Sequence, residues 1–88
     1  MAVYGMDIEQ VRSLAAQLGQ KADQIDSLIS EVTSKLGATD WTGPDDNQFR
    51  SDWSGTLTTQ LRSVAQTLRD TQQRATQNAS QQEQASSN

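Results

Sequence analysis

The feature that most constrains this chain is a run of apolar residues at spacings that alternate between three and four. The run is unbroken over more than four heptads. Such spacing is the a/d pattern of a helix that packs along one stripe against another helix. Its members are Ile8, Val11, Ala15, Leu18, Ala22, Ile25, Ile29, Val32 and Leu36. The sequence therefore predicts one long first helix.

The ends of this helix are also predicted by particular residues. Asp7 suits the N-cap, and Gln10 three residues later completes a capping-box pattern. Gly37 is a plausible C-terminal stop. We place the helix at about residues 7–37, a length of about 47 Å at 1.5 Å per residue.

Two leucines widen the apolar stripe of the first helix on one side. Leu14 and Leu28 each precede an a/d residue by one position, which is a g position of the heptad. A stripe of this width is too broad for one partner helix. We therefore expect the first helix to have two neighbours.

A second helix is predicted after a short connection at about residues 38–43. Pro44 fits the first helical position, and Asp45 and Asp46 lie in the first turn, where the helix dipole favours negative charge. The apolar positions of this helix are Phe49, Trp53, Leu57, Leu61, Val64 and Leu68. We place it at about residues 44–78.

Both ends of the chain are predicted to lie outside the helices. Residues 1–6 form an N-terminal arm. Residues 79–88 are expected to form a flexible polar tail, because the sequence after Leu68 is rich in glutamine and its only apolar residues are alanines.

These elements predict an all-α fold, an antiparallel two-helix hairpin. A hairpin leaves part of each apolar stripe uncovered. Two hairpins packed against each other would cover it as a four-helix bundle dimer. A partner is also expected because the chain of 88 residues is short, is only 33% apolar and has no cysteine for disulfides.

Composition argues against several classes of function. The net charge of −4 disfavours nucleic acid and anionic membranes. Without histidine or cysteine the common catalytic triads and metal sites cannot form, so we expect no enzyme activity, no metal and no cofactor. We find no Sec-type signal peptide and no apolar run long enough for stable membrane insertion, which on its own suggests a cytoplasmic protein.

The layout resembles the WXG family, the early-secreted-antigen-like substrates of type VII (Esx) secretion systems in actinobacteria and other Gram-positive bacteria. The resemblance is carried by Trp41-Thr42-Gly43 at the predicted turn, with Phe49 eight positions after Trp41 and Trp53 four further on. It covers essentially the whole chain. A second W-x-G, Trp53-Ser54-Gly55, is predicted to lie in the middle of the second helix, with no turn around it.

The resemblance implies a homodimer, or a heterodimer with another WXG-type protein. It also implies secretion without a cleaved signal peptide, by a membrane complex that contains a type VII ATPase. The family's tail signal, Tyr-x-x-x-Asp/Glu, is missing, since the only tyrosine is Tyr4. A partner that carries the signal would complete it. The alternative is a cytoplasmic coiled-coil adaptor or structural module that is not exported.

The sequence leaves the roles of individual residues of the turn open. Trp41 is a plug that closes the end of the bundle, a recognition element for the export machinery, or both. Gly43 could belong to a recognised signal, but such a glycine more often supplies turn geometry. Phe49 and Trp53 are expected in the core.

Overall fold

The chain is a pair of long helical runs joined by a short connection, as described by a computed structural model that covers residues 6–87. The first run is α1, Ile8–Ala38. The second run contains α2, Pro44–Asp52, then a π-helical turn, Trp53–Leu57, and then α3, Thr58–Ser87. The all-α prediction is therefore confirmed for the described residues, and the connection is 39–43.

The boundaries of α1 follow from local chemistry. The Asp7 carboxylate accepts a hydrogen bond from the Gln10 N–H at 3.0 Å, so the predicted N-cap is confirmed. The helix ends at Ala38, one residue beyond the predicted stop at Gly37, which is itself still helical. The backbone becomes extended at Thr39, whose N–H donates to the Leu36 carbonyl at 3.3 Å.

The two runs lie antiparallel. Arg12, near the start of α1, pairs with Glu83 near the end of α3, whereas Thr33, near the end of α1, contacts Trp53. The molecule measures 65 × 18 × 14 Å. α1 spans about 47 Å and residues 44–87 about 66 Å. Arg12 and Glu83 meet near the end of the hairpin opposite the connection. The second run therefore extends beyond α1 at the connection.

The second run extends further than predicted. α3 continues to Ser87, whereas we expected helix only to about residue 78 and a polar tail outside it over 79–88. Ala79 is fully buried, and the Arg12–Glu83 ion pair lies beyond it. Small side chains let α3 approach α1 closely, so the helix needs no large apolar residues to dock. Residues 1–5 of the predicted arm, and residue 88, lie outside the described residues.

A buried seam runs between the helices and is built mostly from small side chains. No large side chain is fully enclosed among the described residues. The buried apolar residues are Ala15, Ala22, Ile29, Trp53, Ala65 and Ala79. Val64 was predicted to lie on this seam, but Ala65 takes the buried position and Val64 is exposed. The single chain therefore buries little apolar surface for its length.

Candidate interaction surface

The way the helices face each other divides the hairpin into two long edges. On α1 the most buried positions recur every seven residues, at Ala15, Ala22 and Ile29. Residues four positions after these, or three before, reach across to α3 on one side. Residues one position before Ala15, Ala22 and Ile29 lie on the opposite side of the hairpin. We call the first side the polar edge and the second the apolar edge.

The polar edge holds hydrogen bonds and ion pairs between the two runs. Arg69 donates to the carboxylates of Asp26 at 2.6 Å and Asp23 at 2.9 Å, and Arg12 pairs with Glu83. The hydrogen bonds that the Arg69 guanidinium donates to Asp23 and Asp26 raise its pKa. All of these groups are partly or largely exposed, so they orient the helices more than they stabilise them.

The apolar edge is the opposite side and has no cover from its own chain. Leu14 is 53% exposed, Leu28 44% and Val64 49%. Six half-buried apolar residues continue the edge between the exposed ones and the seam: Val11, Leu18, Ile25, Val32, Leu61 and Leu68. The exposed Lys21 holds the equivalent position between Leu14 and Leu28, so the edge is apolar on either side of one charged residue. Exposed apolar residues grouped in this way on a small protein mark a candidate interaction site.

At the connection, an arginine holds the end of α1. Arg50 donates to the carbonyl of Leu36 at 2.9 Å and to the carbonyl of Thr39 at 3.2 Å. Its guanidinium also pairs with Asp46, which is only 4% exposed. Carbonyls at a helix C-terminus lack intrahelical partners, so a charged donor from the second run completes them. This contact fixes the connection to α1.

Two aromatic residues complete the packing beneath the connection. The Trp53 indole N–H donates to the Thr33 hydroxyl at 3.0 Å, and the ring is buried. Phe49 stacks on Trp53, with ring centroids 6.1 Å apart and an angle of 27° between planes. An aromatic pair of this geometry adds stability beyond its buried area. The predicted core positions of Phe49, half-buried, and Trp53 are in agreement with this packing.

In the W-x-G of the connection, Trp41 is exposed and Gly43 has a structural role. Trp41 is 42% exposed at the end of the single hairpin. Gly43 has φ 122° and ψ 176°, a conformation that is essentially restricted to glycine. Its carbonyl accepts the N–H of Asn47 at 3.0 Å, and Pro44 follows as the first residue of α2.

No group of three or more acidic side chains converges within residues 6–87. The helices there also include none that is long and apolar enough to cross a membrane.

The predicted site residues fall into four groups. Ile29 and Trp53 are buried, and Ile8, Leu36, Phe49 and Leu57 are half-buried near the ends of the runs. The remaining members of the predicted stripes lie along or beside the apolar edge. Trp41 and Gly43 lie at the connection.

Sequence reasoning missed Arg50, Asp46 as its buried partner, and the alanines of α3. The spacing of four between Asp46 and Arg50 was a usable signal for the ion pair. For Ala65 and Ala79, the signal was their spacing of fourteen, two heptads, on one face. The Arg50 contact with Leu36 joins residues fourteen apart across the connection, and no local sequence pattern predicts it.

Comparisons with protein-family models, with curated proteins and with solved structures find no match to this chain.

Proposed function

We propose that the chain is a small non-enzymatic pairing protein whose apolar edge packs against a second helical hairpin to form a four-helix bundle. The observation that carries the proposal is the apolar edge itself, which both helical runs share and which the chain leaves uncovered. The alanine-rich seam supports it, because a hairpin that buries so few large side chains gains stability from a partner.

The expected gain is large for a protein of this size. Full burial of an exposed leucine or valine side chain contributes about 1.5–3 kcal/mol. Leu14, Leu28 and Val64 are 53%, 44% and 49% exposed, so cover by a second hairpin would contribute about half of that figure for each. The partner is another copy of this chain or another WXG-type protein.

Pairing is tested by placing charge on the apolar edge. The double variant Leu14→Asp with Leu28→Asp puts two carboxylates into the proposed interface, where they would be buried without partners. The matched control is Ser13→Asp with Ser27→Asp, which adds the same charge one position earlier on the exposed face of α1.

Light scattering after size exclusion measures the mass of each variant, with or without the partner chain. We expect the leucine variant to lose the paired mass and the serine control to keep it. Equal behaviour of the two variants would contradict pairing through this edge.

We further propose that the protein is a secreted substrate, or the export partner of one, of a type VII secretion system. What supports this is the resemblance of Trp41-Thr42-Gly43, Phe49 and Trp53 to the WXG pattern in a chain of this length. The protein would fold in the cytoplasm and leave without a cleaved signal peptide, through a complex with a type VII ATPase.

Export is tested by immunodetection of the chain in culture medium, with the ATPase gene intact and deleted. We expect the chain in the medium only when the ATPase is present. Retention in the cells of both strains would favour the alternative, a cytoplasmic coiled-coil adaptor. A co-purified partner that carries a Tyr-x-x-x-Asp/Glu tail would account for the signal that this chain lacks.

Trp41 and Gly43 would have different parts in that export. Trp41 stands exposed at the connection, where another protein can reach it, whereas Gly43 sets the backbone that presents it. Trp41→Ala is expected to abolish export while the paired mass is unchanged. Normal secretion of this variant would remove Trp41 from the recognition proposal and leave the pairing proposal intact.

A further inference from the structure

The residues that the second run directs at α1 keep a three-and-four spacing except at one step. Along α3 every position of this set is buried or half-buried: Thr58, Leu61, Ala65, Leu68, Gln72, Ala75 and Ala79. Before α3 the matching residues are Asp46, Arg50 and Trp53, again four and three apart. The step from Trp53 to Thr58 is five. The second run therefore contains one residue more than a continuous seam requires.

The extra residue coincides with the π-helical turn. In Trp53–Leu57 the helix is widened, and the Thr58 N–H donates to the Trp53 carbonyl five residues earlier. A single π-turn is the usual way for an α-helix to accommodate one inserted residue. The hydroxyls of Thr58 and Thr59 donate to the carbonyls of Ser54 and Gly55, at 3.4 and 2.8 Å, and so add partners within the widened turn.

The insertion decides which way the connection faces. Each residue of an α-helix turns the chain by about 100°. If residues 44–87 formed an uninterrupted α-helix with α3 in place, Trp53 and Arg50 would be rotated by about that angle. Trp53 would then lose its hydrogen bond to Thr33, and Arg50 its contact with the Leu36 carbonyl.

We propose that the second W-x-G, Trp53-Ser54-Gly55, is a register adapter. It absorbs one surplus residue as a π-turn, so that α2 keeps its contacts with the end of α1 while α3 keeps the seam and the apolar edge. The orientation of the connection, with Trp41 on it, is thereby set separately from the orientation of the pairing surface. The sequence motif was expected to lie in helix without a turn; its π-turn is what gives it a role.

The adapter predicts that the chain tolerates the loss of one residue here and nowhere else along the helix. Deletion of Gly55 restores a three-and-four spacing from Asp46 to Ala79. The control is deletion of Ser63, another exposed small residue, which lies in the regular part of α3. That deletion moves every later seam residue by about 100°.

Thermal unfolding and the two tryptophan indole N–H signals in NMR spectra of the purified full-length chain read the result. For the Gly55 deletion we expect cooperative unfolding within about 5 °C of the parent midpoint. The Trp53 indole should remain protected from hydrogen exchange, with exposed Trp41 as internal reference. For the Ser63 deletion we expect loss of cooperative unfolding. The proposal is overturned if the Gly55 deletion unfolds like the Ser63 deletion, or frees the Trp53 indole.

A substitution tests whether the register depends on the number of residues in the π-turn or on having glycine at position 55. Gly55 has no positive φ, and a Cβ added to it would meet no atom within 4 Å. Gly55→Ala should therefore keep the protected Trp53 signal of the parent protein. Exposure of the Trp53 indole in this variant would mean that glycine itself is required, and it would contradict the register adapter.

Discussion

The two ends of the hairpin are held together in different ways. At the connection, Trp53 and Arg50 make directed hydrogen bonds to Thr33, Leu36 and Thr39 of the other run or its flank. At the open end, the packing is formed by the fully buried Ala79 and the exposed pair of Arg12 and Glu83. Directed contacts fix one geometry at the connection, whereas small side chains at the open end allow close approach without large buried area.

This difference indicates where the proposed pairing would add most stability. The connection carries its own aromatic pair and a partly buried ion pair, so its shape is set within the chain. The open end and the apolar edge gain most from a second hairpin. Four substitutions test the comparison. The first three each have a control at a residue of the same type, and the fourth is compared at low and high salt.

The largest effect is expected for Trp53→Ala. It removes a buried aromatic side chain, its stack with Phe49 and its hydrogen bond to Thr33, at a cost of about 3–5 kcal/mol in the free energy of unfolding. Trp41→Ala, at the exposed tryptophan, should change that free energy by less than about 0.5 kcal/mol. Chemical denaturation measures both. Similar losses in the two variants would refute the division between a buried and an exposed tryptophan.

Ala79→Leu tests the open end. Ala79 is fully buried where α3 approaches α1, so a larger side chain forces the helices apart at a cost of about 1–3 kcal/mol. Ala85→Leu, at an exposed position of the same helix, is the control and should be nearly neutral. If thermal unfolding shows both variants unchanged, residues 79–87 are not docked, and the polar tail predicted from composition would be correct after all.

Gly43→Ala tests the backbone of the connection. At φ 122° an alanine is strained, and we expect a loss of about 1–3 kcal/mol. Gly37→Ala is the control, because Gly37 is helical with open space around it, and alanine should stabilise the helix by up to about 1 kcal/mol. We expect the midpoint of thermal unfolding to fall for Gly43→Ala and to rise for Gly37→Ala. A stabilised Gly43→Ala variant would show that the connection has another backbone conformation.

The smallest effect is expected for Arg69→Gln on the polar edge. The substitution removes contacts with Asp23 and Asp26, both of which are largely exposed. Exposed ion pairs contribute little and are screened by salt. The unfolding midpoint should shift slightly at low salt and not at 1 M salt. A large shift that persists at high salt would show that the polar edge, and not the seam, holds the helices together.

Much of this fold was accessible from the sequence, because α1 carries a long regular pattern and the connection carries Gly43 and Pro44. The failures have a common physical origin. The second helix was predicted as one continuous α-helical face from Phe49 to Leu68, and a π-turn that inserts one residue leaves no mark in an apolar pattern. After Leu61, the step of three to the larger Val64 was preferred to the step of four to Ala65. Alanine gives a weak apolar signal, so the docking of Ala65 and Ala79 was not apparent. Close packing of small residues is decided by the facing helix.

The candidate surface was predictable in outline only. Leu14 and Leu28 marked an apolar stripe too wide for one partner, which is the edge that the hairpin leaves uncovered. Which residues of α3 would join it depended on the rotation of α3, and that rotation follows from the π-turn and the contacts of Arg50. These link residues distant in sequence, which a local pattern does not encode.

The most direct test of the account is the mass and cooperativity of the purified chain at micromolar concentration. One chain has a mass of 9.6 kDa. Light scattering combined with thermal unfolding should give either a dimer of this chain that unfolds cooperatively, or a weakly folded single chain that becomes cooperative when its partner is added. A single chain of 9.6 kDa that unfolds cooperatively without any partner would contradict the claim that the apolar edge is a pairing surface.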